Sequence, residues 1–341
     1  MGSSSELTAR AAWRDGARRV NAAPAVFVGL CALTLLIALP LSFVLGGMIE
    51  AHLGRSLAAE TAARGTDYAW WQEFSAQATG LATTFVPSVA GFSAVLDNLS
   101  AIADNQPMAA TVAGVTAAWL ILWSFLSGGV LDRYARARPT RPEGFFAACG
   151  RHFWRFTRLG LLGFATYAFL FEVVHPWLFD AVYPSLTANL TVERQAFAIR
   201  LGCYAIFGLL LTATNLCFDY ARIRLVVEDR RSATGALVAG VRFVRNHRGA
   251  VRLYILNGAG YLCVVLVYAW LAPDFARSGV RMWPMLALGQ LYILVRHYLK
   301  LLFYASETSY FQSAFAHASY TAGPALVWPE SPAAEAVLNA D

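Results

Sequence analysis

Four stretches of this chain are long enough to cross a membrane and carry no formal charge at all. They are Val20–Ile49, Asn105–Leu131, Leu201–Phe218 and Leu253–Pro273. A fifth, Leu159–Phe179, carries only Glu172. A hydrocarbon core needs about 20 apolar residues wound as helix. Inside it every backbone polar group must find its partner within the chain, so helices are the natural solution. A sixth run, Met282–Val295, is uncharged but shorter. It predicts a helix over Met282–Tyr304, with Arg296 and Lys300 snorkelling to the headgroups.

Composition excludes an ordinary soluble domain. Charged residues are 14% and hydrophobic residues 57%, with a mean hydropathy of +0.48. Soluble domains carry about 25% charged residues, needed to cover a core. The expectation is an all-α, polytopic bundle of about six transmembrane helices arranged as three hairpins. Residues 1–23 form an interfacial helix in this reading. Residues 24–306 form the membrane domain with an insert at 48–107, and 307–341 a tail that is partly disordered.

The net charge of +6 would suggest nucleic acid in a soluble protein. Here the arginines flank apolar runs, so an anionic lipid surface is the expected partner and nucleic acid is not. Of the 27 Lys and Arg residues, 21 fall on one side of the six crossings. The other six are Arg55, Arg64, Arg194, Arg200, Arg277 and Arg281. The basic-rich side is expected to be cytoplasmic, and an even number of crossings puts both termini there. No cleavable signal pattern precedes the first run. The cysteines Cys31, Cys149, Cys203, Cys217 and Cys263 show no zinc-ligand spacing and read as small apolar fillers.

The order of elements recurs three times: basic segment, outward helix, loop, inward helix. The units run over about Leu7–Tyr134, Glu143–Arg222 and Ser232–Ser306. Two inward helices end alike, in Asp132-Arg133-Tyr134-Ala135-Arg136 and Asp219-Tyr220-Ala221-Arg222. In the second basic segment Phe145, Cys149, Phe153 and Phe156 share one helical face. Arg151, Arg155 and Arg158 share the opposite one. This predicts a helix lying in the interface, its arginines on anionic headgroups.

The insert at 48–107 reads as a helical cap. Trp70, Phe74, Ala78, Leu81 and Phe85 form one stripe, Pro87 breaks it, and Val89 to Ile102 form another. Trp70, Trp71 and Phe74 suit the depth of an interfacial belt. The cap is either a lid or protein-docking surface, or a passive belt.

Few polar groups lie within the crossings. Glu172-x-x-His175 has the spacing of half a di-metal site, but no second copy or further membrane Glu accompanies it. No metal and no cofactor are expected. An acid in a span is usually paired or functional. Arg200, near the outer end of the next helix, is the expected partner of Glu172. Asn215 and Asn257 are expected to bond across helices. His247 and His317 lie in polar segments without a visible partner. No phosphate loop, dinucleotide fingerprint or nucleophile elbow is present, so no catalytic residue is assigned.

The alternation of basic segment and hairpin, with its Asp-(x)-Tyr-Ala-Arg helix ends, resembles bacterial six-helix membrane families of unknown function. It looks like the membrane domain fused to some glycerophosphodiester phosphodiesterases. The resemblance covers most of the chain by topology, and the insert departs from it. It implies the bacterial cytoplasmic membrane. With no phosphodiesterase domain present, no catalytic residue carries over. The function expected is a non-catalytic bundle, either transporter-like or a subunit of an envelope complex. The alternative is an intramembrane enzyme acting on lipid.

Overall fold

The computed structural model describes residues 6–54, 56–64, 67–86, 91–107, 110–272, 282–315 and Ala318. Arg55, Pro87, Arg277, Arg281, His317 and most of the tail lie outside the described residues. Within them the chain is all-helical, and six helices are long and apolar enough to cross a membrane. These are α2 (Pro24–Leu53), α6 (Ala110–Arg136), α7 (Pro142–Phe169) with its continuation, α9 (Glu193–Val227), α11 (Arg248–Leu271) and α12 (Met282–Ala314). The outside of the bundle is apolar. Phe43 and Phe164 are each 75% exposed and Trp270 79%, a surface that water would not tolerate and lipid does. The protein is therefore a polytopic helical membrane protein.

Three further helices belong to the insert: α3 (Ala59–Arg64), α4 (Tyr68–Gln77) and α5 (Gly91–Ala103). The stripe from Trp70 to Phe85 is not one helix. Helix α4 starts where the Asp67 carboxylate caps the Trp70 amide and stops at Gln77. Gly80 then takes φ +56°, a conformation that costs glycine nothing, and a 3₁₀ turn follows over Gly80–Thr84. The turn folds Phe85 back onto Trp70 and Phe74. The Trp71 indole donates to the Phe85 carbonyl at 3.0 Å.

The basic segments differ from expectation in one respect. Helix α1 (Ala9–Asn21) and α10 (Ala233–Asn246) are separate, each capped by a hydroxyl, Thr8 and Ser232. The middle one is not a separate interfacial helix. Pro142 sits at its first turn, where a missing amide costs nothing, and α7 then runs unbroken into its crossing. Nothing between Arg158 and Leu159 stops a helix, so the interfacial stripe and the crossing are one rod.

Each basic helix packs on an inward helix contributed by a different hairpin. Helix α7 lies on α6, α10 lies on α9, and α1 crosses back to α12. Small residues permit the approach at each crossing. A Cβ on Gly16 would stand 2.6 Å from the Ser306 backbone. One on Gly240 would stand 2.9 Å from the Cys217 carbonyl, and one on Gly129 2.9 Å from that of Phe145. Each inward helix carries a buried Tyr-Ala pair near its crossing: Tyr134-Ala135, Tyr220-Ala221 and Tyr304-Ala305.

The crossing of α1 on α12 places both ends of the described chain at one end of the bundle, here called the basic end. It also extends α12 beyond the expected stop at Tyr304. Residues 307–314 continue the helix instead of opening a tail, because α1 and α6 cover and bond them. Ser306, Glu307, Thr308, Ser309 and Gln312 are all buried. The Ser309 hydroxyl donates to Asp15 at 2.6 Å. Arg19 donates to Asp15 at 2.8 Å, to the Tyr134 carbonyl at 2.8 Å and to Gln312 at 2.7 Å. Burial opposes ionisation of Asp15, yet the Ser309 hydroxyl and the Arg19 guanidinium outweigh it and hold its carboxyl below the usual value.

Candidate functional site

The polar residues expected to matter fall into three separate places. The first is the end opposite the termini. There α7 leaves the α-helical path and makes two π turns, Leu170–Val174 and Trp177–Val182, before α8 (Tyr183–Thr187). Wider turns rotate each residue less about the axis, so Glu172 and His175 part company. Glu172 is exposed; His175 is buried against Phe179 and Phe207, its Nε2 2.9 Å from the Ala103 carbonyl. Asn105 donates to the Phe171 carbonyl at 3.0 Å, which ties the loop after α5 to the π segment.

The expected Glu172–Arg200 pair is not formed. Arg200 lies 3.8 Å from Asp104 and donates to the Tyr204 hydroxyl at 3.2 Å. Tyr204 in turn donates to Asp104. Asp104, on the loop, is the acid within ion-pair distance of Arg200. Among the described residues Glu172 has no ion pair. Replacing Glu172 or Arg200 by Gln is accordingly expected to shift stability by less than about 1 kcal/mol each, with additive effects. A double-mutant cycle on detergent-solubilised protein would refute this if it returned a coupling of several kcal/mol.

The second place is the aromatic cap. Trp70 and Phe74 are buried beside the half-buried His52, whose Nδ1 accepts from the Trp70 indole at 3.0 Å. Trp71 packs at its edge. The cluster closes the end of α2 and lines no deep cavity. Arg151 and Arg155 belong to neither place. Arg151 pairs with Asp132 at 3.1 Å, and Arg155 pairs with Asp229. Both face acids of the chain itself. Arg158 is exposed.

The third place is a cleft of about 860 Å³ within the bundle, walled by α2, α6, α9, α11 and α12. Its character changes along its length. Ile37, Leu41, Val115 and Ile293 form an apolar part. Toward the basic end Asp219, Arg222, Arg296, His297 and Lys300 line it. Arg222 is neutralised by Asp219 at 2.6 Å. Lys300 lies 3.7 Å above the Trp123 ring, and its other neighbour is Trp119. Trp119, Trp123 and Tyr304 stack in series, and the Trp123 indole donates to the Tyr304 hydroxyl at 3.2 Å. His297 is fixed by Thr34 of α2 at 3.1 Å. Asn215 lines the cleft and accepts from Tyr167 at 3.2 Å. Asn257 stands behind it, fully buried, and donates to Ser306 at 3.0 Å.

Lys300 therefore does not snorkel. Helix α12 continues about 21 Å beyond it, and its ammonium turns inward onto the indole face, where cation–π attraction compensates lost water. Neither Arg296 nor Lys300 has an acid within ion-pair distance among the described residues. No family model, curated protein or solved structure matches this chain. The cleft must therefore be interpreted from its own chemistry.

Two signals in the sequence mark it. Arg296 and Lys300 are like charges at i,i+4, an arrangement that destabilises a helix unless an anion sits between them. Trp119 and Trp123 share the same spacing on an apolar helix. Neither becomes a site until α6 and α12 are brought together.

Proposed function

We propose that this membrane protein is a non-catalytic, transporter-like bundle that admits a ligand to the cleft from the membrane plane. The observation that carries this reading is an amphipathic cleft whose flanking helices stand apart. Helices α2 and α6 both line it yet touch only weakly, and so do α9 and α11. Helix α2 is the loosest of the six, with Leu30 its one buried residue. The alternative, an enzyme acting on lipid, rested on Glu172 and His175, and these stand apart from the cleft.

Brominated phosphatidylcholine in reconstituted vesicles tests the opening. Bromine quenches tryptophan on contact, so the share of fluorescence due to Trp119 and Trp123 is expected to be lost. That share is measured against the Trp119→Phe/Trp123→Phe variant. An unquenched share would mean that the cleft is sealed from lipid.

The arginine distribution supports placement in a bacterial cytoplasmic membrane with the basic end inward. An impermeant thiol reagent added to intact cells is expected to label Asp97→Cys and to spare Glu143→Cys. Both positions are exposed, so the reverse pattern would invert the topology. In this orientation Arg158 is placed to meet anionic headgroups of the inner leaflet. The insert, with its aromatic cap, would then offer a protein-docking surface on the outer side.

A further inference from the structure

We infer that the cleft holds the phosphate of an anionic lipid between Arg296 and Lys300, with the acyl chains along Ile37, Leu41 and Val115. The inference rests on the cleft being a ligand path and adds the class of ligand.

Charge balance is the first argument. Four ionised groups line the cleft, and Asp219, the one acid among them, pairs with Arg222 and also acts on Lys300, which leaves an excess of two positive charges. Two cations remain on one face of α12, a turn apart. Glu307 lies about two turns further toward the basic end and is wholly buried. Its charged neighbours there are Asp219 and Arg222, so it supplies no acid to Arg296. The cleft thus presents a positive wall without its counter-anion. A phosphate suits it because a guanidinium binds two of its oxygens in a fork while an ammonium acts as a point charge.

The second argument separates lipid from soluble phosphate. A soluble anion would need a wet, polar path, but away from the cations the cleft is lined mainly by Ile37, Ala38, Leu41, Val115 and Ile293. Arg296 and Lys300 lie about 27 and 21 Å from the end of α12 at Ala314. A headgroup held there would be drawn inward from the basic-end surface, with its chains still in hydrocarbon. Trp119 and Trp123 would flank it, as they already flank Lys300.

The test uses the full chain in a neutral detergent doped with brominated phosphatidylglycerol or brominated phosphatidylcholine. Loss of the Trp119 and Trp123 fluorescence share is measured against mole fraction. Phosphatidylglycerol is expected to quench at a mole fraction about tenfold lower or less, the advantage of a charge-assisted contact. Arg296→Gln, at an exposed position, is expected to abolish that preference while leaving the unfolding midpoint unchanged. Lys300→Gln should do the same and Lys300→Arg should restore it. Equal quenching by the two lipids would overturn the phosphate assignment while keeping the cleft open to the membrane. Equal quenching by brominated oleate would assign a carboxylate instead. Displacement by inorganic phosphate at similar concentration would show a soluble anion to be the ligand. Quenching by none of them would remove both the inference and the reading beneath it.

Discussion

Replacing Gly16 by valine is expected to unseat α1 from α12, at a cost at or beyond the upper end of the ~1–3 kcal/mol typical of overpacking. The reason is what the new atoms would meet. A Cβ at Gly16 falls 2.6 Å from N, Cα and Cβ of Ser306. Main-chain atoms in mid-helix cannot swing aside as a side-chain tip can. The two helices would have to separate, and the buried hydroxyls and carboxylate of Ser306–Ser309 would lose their cover. Gly160 is the control, because a Cβ there meets nothing within 4 Å. Gly160→Ala should stabilise slightly, by about 0.5–1 kcal/mol, through helix propensity alone. Chemical unfolding in detergent measures both variants. An unchanged midpoint for Gly16→Val would show that the crossing is looser than described.

Arg19→Met is expected to have the other large effect, about 3 kcal/mol or more. One guanidinium joins three helices: Asp15 on its own, the Tyr134 carbonyl on α6 and Gln312 on α12. Its side chain is 13% exposed. Removing it leaves Asp15 with only Arg18 and Ser309 and strands two oxygens in a poorly hydrated place, and breaking one side of a buried pair costs about 3–5 kcal/mol. Asp15 keeps 24% exposure, which places the effect toward the lower figure. Asp15→Asn combined with Arg19→Met should cost less than the sum of the single changes. The pH dependence has a definite sign. Because the folded state holds the Asp15 carboxyl below its usual value, its stabilisation is present above about pH 4. It is lost as pH falls through the folded value. Additive losses in the cycle, or an Arg19→Met variant as stable as the parent, would contradict this account.

The crossings were plain from apolar length, because lipid imposes one requirement: four runs meet it without charge, a fifth meets it with Glu172 alone, and a sixth is shorter. What pairs with what was not. Glu172 and Arg200 are linked by one hairpin, and proximity in sequence suggested a pair. The loop after α5, 60 and more residues upstream, supplies Asp104 instead. The π turns that part Glu172 from His175 leave no mark in composition, since both residues keep their i,i+3 spacing. Arg296 and Lys300 looked like helix-end anchors because α12 was expected to stop at Tyr304. Its polar continuation, Ser306–Gln312, reads as a tail when taken alone. Only α1 and α6 lying against it make those residues interior. The cleft shared this difficulty: its walls come from five helices, and no local pattern reports which of them meet.

The closure of α1 on α12 sets the order in which the molecule can be completed. Arg19 and Gln312 are 293 residues apart. At a ribosomal rate of about 5–20 residues per second, α1 is synthesised on the order of 15–60 s before its seat exists. During that interval Gly16 and Ala12 have nothing to cover them, and the amphipathic α1 has only the lipid surface to rest on. The five intervening crossings can insert and the α6–α7 and α9–α10 contacts can form meanwhile, since each joins neighbours in the chain. The last helix to leave the ribosome is then the one that receives the first. A nascent chain arrested before Ser306 would hold its N-terminal helix on the membrane, open to proteases that the finished fold excludes.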